Sequence, residues 1–295
     1  MPPADSPGDS LAGTAPLFTD RLQTRPESAV RQFSADYLRD TRRGMWDDRE
    51  ALADLRLDSR ERVLDAGCGT GELSRVLAEE TPGEVIGADA DPDLLAVARE
   101  QAGVETVAGD ALRLPFPDDC FDLVVCQALL INLPDPAAAV REFRRVSSDL
   151  VAAVEPDNAA VAVESTVETE SDLAARARRA YLDGVETDVT LGGSGTREAF
   201  AAAGLSDAAT RRHVHARTVE PPYAERDLRA ARRKASGEGL ADDRATLLAG
   251  DLSAAEYDDL RTDWREMGRA VVEQMSAGEY RRAEVVPFYV TVGSV

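Results

Sequence analysis

Between Arg62 and Glu155, short apolar runs alternate with stretches whose apolar residues recur at helical spacing. The runs Arg62 to Asp65, Val85 to Asp89, Val104 to Ala108 and Phe121 to Gln127 are too short for helices. They are also too evenly apolar for strands with one wet face, so they read as strands covered on both sides. Gly71 to Glu80, Pro92 to Ala102 and Pro136 to Val146 read as the helices between them, and Leu150 to Glu155 as a fifth strand. The alternation predicts an α/β, doubly wound and mostly parallel sheet.

Outside this stretch the pattern changes. Val30, Phe33, Tyr37, Leu38, Trp46, Leu52 and Leu55 recur at helical spacing, interrupted near Gly44, which predicts two short N-terminal helices over residues 21–60. Residues 1–20 are rich in Pro, Ser, Gly and Asp and read as a flexible leader. An Ala- and Arg-rich helix follows from about Ser171 to Tyr181, and a short one from Thr196 to Ala203. Extended stretches around Ala208 to Val219 and Glu284 to Val292 should be sheet neighbours. Residues 221–283 lie between them, begin at Pro221-Pro222 and read as helix, with Leu228, Leu240, Leu247, Leu248, Tyr257, Leu260, Trp264, Met267 and Val271 as apolar anchors. This makes a late helical insertion in a core spanning 61–220 and 284–295. As a substrate lid or an oligomer contact, it leaves the oligomeric state open.

Charge narrows the function classes. The chain has 295 residues, a formal net charge of -21 and a sequence pI near 4.5. Nucleic acid and anionic membrane surfaces are gripped by clustered Lys and Arg, so neither is an expected partner. Lys234 is the only lysine, and the acids are spread along the chain as on a haloadapted surface. Concentrated salt, with a Debye length of about 3 Å at 1 M, relieves their repulsion. Cys68, Cys120 and Cys126 show no metal-binding spacing, and an odd count suits a reducing compartment. With no signal peptide and no apolar run of roughly 20 residues, a cytoplasmic location and no metal are expected.

The candidate chemistry sits at strand ends. A buried strand ending in Asp65 and followed by Gly67-x-Gly69-x-Gly71 lets backbone approach a ligand, and the next helix offers free N–H groups. A glycine turn alone would explain as much. The spacing differs from the GxGxxG that seats a pyrophosphate, and Asp65 would repel a diphosphate while suiting a ligand with positive charge. Asp89 closes the second strand, where a carboxylate can accept ribose hydroxyls. Asp110 closes the third, where it can accept an adenine amino group while the Ala111 N–H meets a ring nitrogen. Three acids at three successive strand ends share the edge where α/β sheets bind ligands.

Val63-Leu64-Asp65-Ala66-Gly67-Cys68-Gly69-Thr70-Gly71 resembles motif I of class I S-adenosylmethionine-dependent methyltransferases. Asp89 resembles the motif II acid. Gly109-Asp110-Ala111-Leu112-Arg113-Leu114-Pro115-Phe116, the strand at Phe121 to Gln127 and the turn Leu133-Pro134-Asp135-Pro136 resemble the small-molecule, ubiquinone/menaquinone-biosynthesis-like subgroup. The resemblance spans about residues 61 to 155. It implies a Rossmann-like, seven-stranded sheet with an antiparallel last strand, S-adenosylmethionine as cofactor and a small-molecule acceptor. Cys68, Ala90 and Gln127 complete the cofactor set. A departure is Arg145-Val146 running straight into Ser147-Ser148-Asp149, where the family has a longer turn.

The acceptor side is less defined, and no catalytic residue is assigned. Where the subgroup often has a His after the fourth strand, this chain has Ile131 and Asn132; Asn132 can orient an acceptor but is no base. Glu155, directly after the fifth strand, and Tyr37 are further substrate candidates. Tyr37, Arg42 and Trp46 could close over the cofactor. His213 and His215 share a strand face and are the only histidines. The run Leu191-Gly192-Gly193-Ser194-Gly195-Thr196-Arg197 could be a gate or a connection. A cofactor-binding regulator without turnover and, less favoured, a nicotinamide oxidoreductase remain as alternatives.

Overall fold

The computed structural model describes residues 34–295, so the leader and the start of the first predicted helix lie outside the described residues. The chain opens with α1 (Ala35–Arg42), whose N-terminus is capped by the Ser34 hydroxyl. Gly44, with a φ of +70°, breaks it as the pattern predicts. The second predicted helix is a tighter 3-10 segment, Arg49–Leu55.

The alternating region follows as β1 (Arg62–Ala66), α2 (Glu72–Glu80), β2 (Glu84–Asp89), α3 (Pro92–Ala102), β3 (Glu105–Ala108), β4 (Phe121–Gln127), α4 (Pro136–Val146) and β5 (Ser147–Pro156). Local chemistry sets several boundaries. The Asp91 carboxylate accepts from the N–H groups of Asp93 and Leu94, Pro92 opens the first turn of α3, and Gly103 closes it at φ +67°. Asp135 and Pro136 do the same at the start of α4. At Ser147, α4 passes directly into β5, so the turn missing from the sequence is missing altogether.

The second half comprises β6 (Ala162–Ser165), α5 (Glu170–Gly184), α6 (Gly192–Ala202), β7 (Ser206–Val219), α7 (Glu225–Ser236), α8 (Glu238–Asp242), α9 (Arg244–Leu247), α10 (Ala254–Ala277) and β8 (Arg282–Ser294). The glycine run expected as a gate is the first turn of α6. A Cβ on Gly193 would lie 2.9 Å from Tyr289 and from Thr210, so glycine is there for packing against the sheet.

β3, β2, β1, β4 and β5 are parallel, and β8 runs antiparallel to β5 with Pro156 opposite Phe288. β7 lies antiparallel along the other edge of β8, with Val219 opposite Arg282. The expected pairing of these two strands is therefore present. The sequence predicts seven strands and misses β6, a short polar segment. It pairs with residues 282–285 of β8, on the edge that β5 occupies further along. β6 thus extends the line of β5, and eight segments occupy seven positions across the sheet.

Val63, Leu64, Leu123, Val124 and Val125 have no exposed surface, as strands between two helical layers require. One layer packs α4 and α6 on the sheet; the other packs α2 and the Arg49–Leu55 segment. A third apolar cluster joins Ala177, Ala180 and Tyr181 of α5 to Leu240, Tyr257, Leu260, Trp264, Met267 and Val271. The insertion therefore shares its core with α5. No helix among the described residues is long and apolar enough to cross a membrane.

The α7 and α10 crossing is close because Gly268 has no side chain. A Cβ there would lie 2.3 Å from Ala235 N and from the Lys234 carbonyl carbon. Gly268→Ala should push the helices apart and cost roughly 1–3 kcal/mol. Denaturant unfolding checks this, and unchanged stability would contradict the tight crossing.

Candidate functional site

The turn after β1 is built from residues in left-handed backbone. Gly67, Gly69 and Gly71 have φ values of +71°, +54° and +84°, which strain any L side chain. The N–H groups of Gly67 and Cys68 both donate to the Ala88 carbonyl at 2.7 and 3.0 Å, which ties the turn to β2. The Leu129 side chain packs on the bare Gly67, where a Cβ would come within 2.8 Å of it. At the end of β2, one Asp89 oxygen accepts from the Gly69 N–H and the other from the Asp91 N–H, each at 2.9 Å. Burial raises the Asp89 pKa while these two N–H groups hold it down.

A cavity of about 650 Å³ opens at this edge. Of the residues predicted for the cofactor, Gly67, Gly69, Asp89, Ala90, Asp110, Ala111 and Gln127 line it. The Gln127 side chain is itself held, accepting from Trp46 Nε1 at 3.2 Å. Tyr37 and Asn132 line the cavity as well, and Asn132 Nδ2 donates to the Ala128 carbonyl at 2.8 Å. Arg42 also reaches the wall, 3.7 Å from Glu72, whereas Trp46 turns away and stacks on His213.

Four predicted residues stand behind the wall. Asp65 is 1% exposed; one of its oxygens accepts from Ser74 Oγ at 2.5 Å, and the other has no hydrogen-bond partner among the described residues. Cys68 packs towards Gly87. Gly71 starts α2, and its missing side chain lets Ala98 of α3 come close. Glu155 is fully buried beneath the turn after β4. Its carboxylate accepts from the N–H groups of Leu129, Leu130 and Ile131 at 3.0, 2.9 and 3.3 Å. All three bonds go to backbone that shapes the cavity wall, so Glu155 supports the site from below and cannot contact an acceptor directly.

The two histidines part company. His213 Nε2 bonds the Met45 carbonyl at 2.9 Å and does not line the cavity. His215 does line it. Its Nε2 faces the Thr41 carbonyl at 3.0 Å, and because a carbonyl only accepts, Nε2 carries the proton. Nδ1 is then a free lone pair in the neutral ring, the form that burial and the nearby Arg217 favour by lowering the pKa.

The far end of the cavity was not foreseen from the sequence. It is lined by Glu170 and Arg178 of α5, Arg217 of β7, Lys234 and Trp264 of the insertion, and Arg282 and Glu284 of β8. The available signals were the lone lysine and the polar alternation His215, Arg217 on β7 against Arg282, Glu284 on β8. Among the described residues no group of His, Cys, Asp or Glu is placed to hold a metal ion.

Burial pushes Asp65 up from 3.8 to about 7, against the Ser74 hydrogen bond. It pushes Glu155 up from 4.5 to about 7, against its three N–H donors. Both folded values exceed the unfolded ones, so the folded chain keeps protons that the unfolded chain releases. Their stabilising contribution is full below about pH 4 and is lost as the pH rises through about 7. Asp65→Asn should therefore lose less stability than the parent between about pH 5.5 and 8, by roughly 2 kcal/mol in denaturant titrations. An identical decline in both proteins would refute the assignment.

The residues at the near end fit S-adenosylmethionine on the structure's own terms. Two side-chain-free positions admit a ligand against backbone, and acids at successive strand ends offer acceptors for hydroxyl and amino groups. A methyltransferase domain family matches residues 63–149. The demethylmenaquinone methyltransferase of Lactiplantibacillus plantarum is 41% identical over 107 residues, 33% of this chain and 45% of that protein. That of Thermus thermophilus is 43% identical over 105 residues, 33% of this chain and 48% of that protein. The chain thus spans less than half the length of these relatives. A solved S-adenosylmethionine-dependent methyltransferase from Aquifex aeolicus is 18% identical, with a TM-score of 0.44 over 64% of this chain and 93% of that one. Residues 63–149 are thus similar to a methyltransferase domain, and the glycine turn and strand-end acids inside that stretch suit S-adenosylmethionine.

Proposed function

We propose that this protein transfers a methyl group from S-adenosylmethionine to a small-molecule acceptor. One observation carries the reading: a single cavity joins the strand-end acids to a second, separately built wall, so cofactor and acceptor can share one space. In this reading Gly67 and Gly69 admit the methionine portion and Asp89 accepts from the ribose hydroxyls. Asp110 and Ala111 meet the adenine, with Asp110 Oδ1 already accepting from the Leu112 N–H at 2.9 Å. Asp65 acts from behind through the turn, and Glu155 holds Leu129 to Ile131 in place.

The bound cofactor supplies an already activated methyl group, so the chain's own work is orientation, exclusion of water and, for an acidic acceptor, removal of a proton. Neutral His215, with Nδ1 free, is the base on the wall. Asn132 orients. The second wall favours turnover over cofactor binding alone, and the GxGxG spacing disfavours a dinucleotide. The relatives' name gives demethylmenaquinone as their acceptor, but the family match ends at residue 149, before Arg178, His215, Arg217 and Lys234.

S-adenosylhomocysteine should bind in calorimetric titration, and Asp89→Ala should weaken it by about 1–3 kcal/mol through loss of the hydroxyl hydrogen bonds. Labelled methyl groups should also pass to a small-molecule fraction of cell extract. Tight NADH binding without S-adenosylhomocysteine binding would sink the reading.

A further inference from the structure

The two ends of the cavity carry opposite charge. Asp89 and Asp110 line the cofactor end, while Arg178, Arg217, Lys234 and Arg282 line the far end together with Glu170 and Glu284, and Asp40 of α1 lines the same cavity close enough to Arg217 to favour its charge. Both glutamates are shared: Glu170 pairs with Lys234 and with Arg282, the latter at 3.2 Å, and Glu284 pairs with Arg217 and Arg282. Asp40 is already paired with Arg43 at 3.0 Å, so four cations stand against two carboxylates and leave a surplus of two positive charges. Arg178 has no carboxylate within ion-pair distance among the described residues. It donates to the Val161 carbonyl at 3.0 Å, which leaves most of a five-donor guanidinium unused.

Such a surplus is costly where it stands. Burial, reinforced by Arg282, brings Arg178 down to about 10, and burial brings Arg217 to about 10 and Lys234 to about 8. Buried charges are normally paired, and a chain with a net charge of -21 does not lack acids to pair them. Trp264 lines the same wall, and its buried Nε1 has no hydrogen-bond partner among the described residues.

We propose that the acceptor is a small anion whose carboxylate or phosphate group docks on Arg178. Arg217, Lys234 and Arg282 supply the surrounding positive field. The proposal rests on the methyl-transfer reading of the same cavity. It also separates this chain from relatives named for a neutral quinone, which would leave the positive surplus unpaired.

The test uses three probes of one shape, benzoate, phenyl phosphate and neutral benzamide, titrated calorimetrically into the full chain saturated with S-adenosylhomocysteine at constant ionic strength. At least one anion should bind tenfold or more tightly than benzamide, and the stronger one identifies the anionic group. Arg178→Gln keeps a donor for the Val161 carbonyl without the charge, and should lose that preference. Arg178→Lys, which keeps the charge, should retain part of it. S-adenosylhomocysteine affinity reports the fold of each variant. Equal binding of benzamide and both anions, or an undiminished preference in a folded Arg178→Gln protein, would overturn the proposal. Failure of the parent protein to bind S-adenosylhomocysteine would instead overturn the methyl-transfer reading itself.

Discussion

β8 is antiparallel to β5 with Phe288 opposite Pro156, so residues 282–287 of β8 run on past the carboxyl end of the parallel sheet. That edge is where α/β sheets leave room for ligands. Because β7 pairs with β8 from Val219 opposite Arg282, the helical insertion between them must begin and end at this edge. Its own apolar core closes on α5 and brings Lys234 and Trp264 to the cavity. The insertion, read from the sequence as a lid or an oligomer contact, contributes Lys234 and Trp264 to the cavity wall.

Two buried acids hold the near end from behind. Asp65 braces the start of α2 through Ser74, and Glu155 gathers three N–H groups of the turn after β4. Neither lines the cavity. Their common logic is a carboxylate spent on backbone or on a neighbour so that cavity-lining positions such as Gly67, Leu129 and Asn132 stay where a ligand needs them. Reading a strand-end acid as a ligand contact is reasonable for Asp89, whose oxygens accept from Gly69 and Asp91 at the cavity wall, and fails for Glu155 for the same geometric reason.

Charge is arranged along the cavity as well as around it. The acidic end meets a cofactor that bears positive charge, while the far end gathers arginines and the chain's only lysine from α5, β7, α7 and β8. These residues are distant in sequence, and each alone is an ordinary surface-type side chain. Only their convergence gives them a common meaning. The acidic surface and the basic interior are thus separate features of one composition.

The sequence alone determined the doubly wound order, the tight glycine turn at Gly67 to Gly71 and the strand-end positions of Asp89 and Asp110. Each of these rests on neighbours a few residues apart, where periodicity and backbone preference act directly. It also determined that β7 and β8 pair, because both are extended and flank a helical excursion. What only the tertiary structure decided is which side chains face the ligand space. Asp65, Cys68, Gly71 and Glu155 fall behind the wall, and Arg178, His215, Arg217, Lys234 and Arg282 fall on it. Facing depends on strand register and on which helix covers which edge, and these are set by contacts between residues more than a hundred positions apart, such as Pro156 with Phe288.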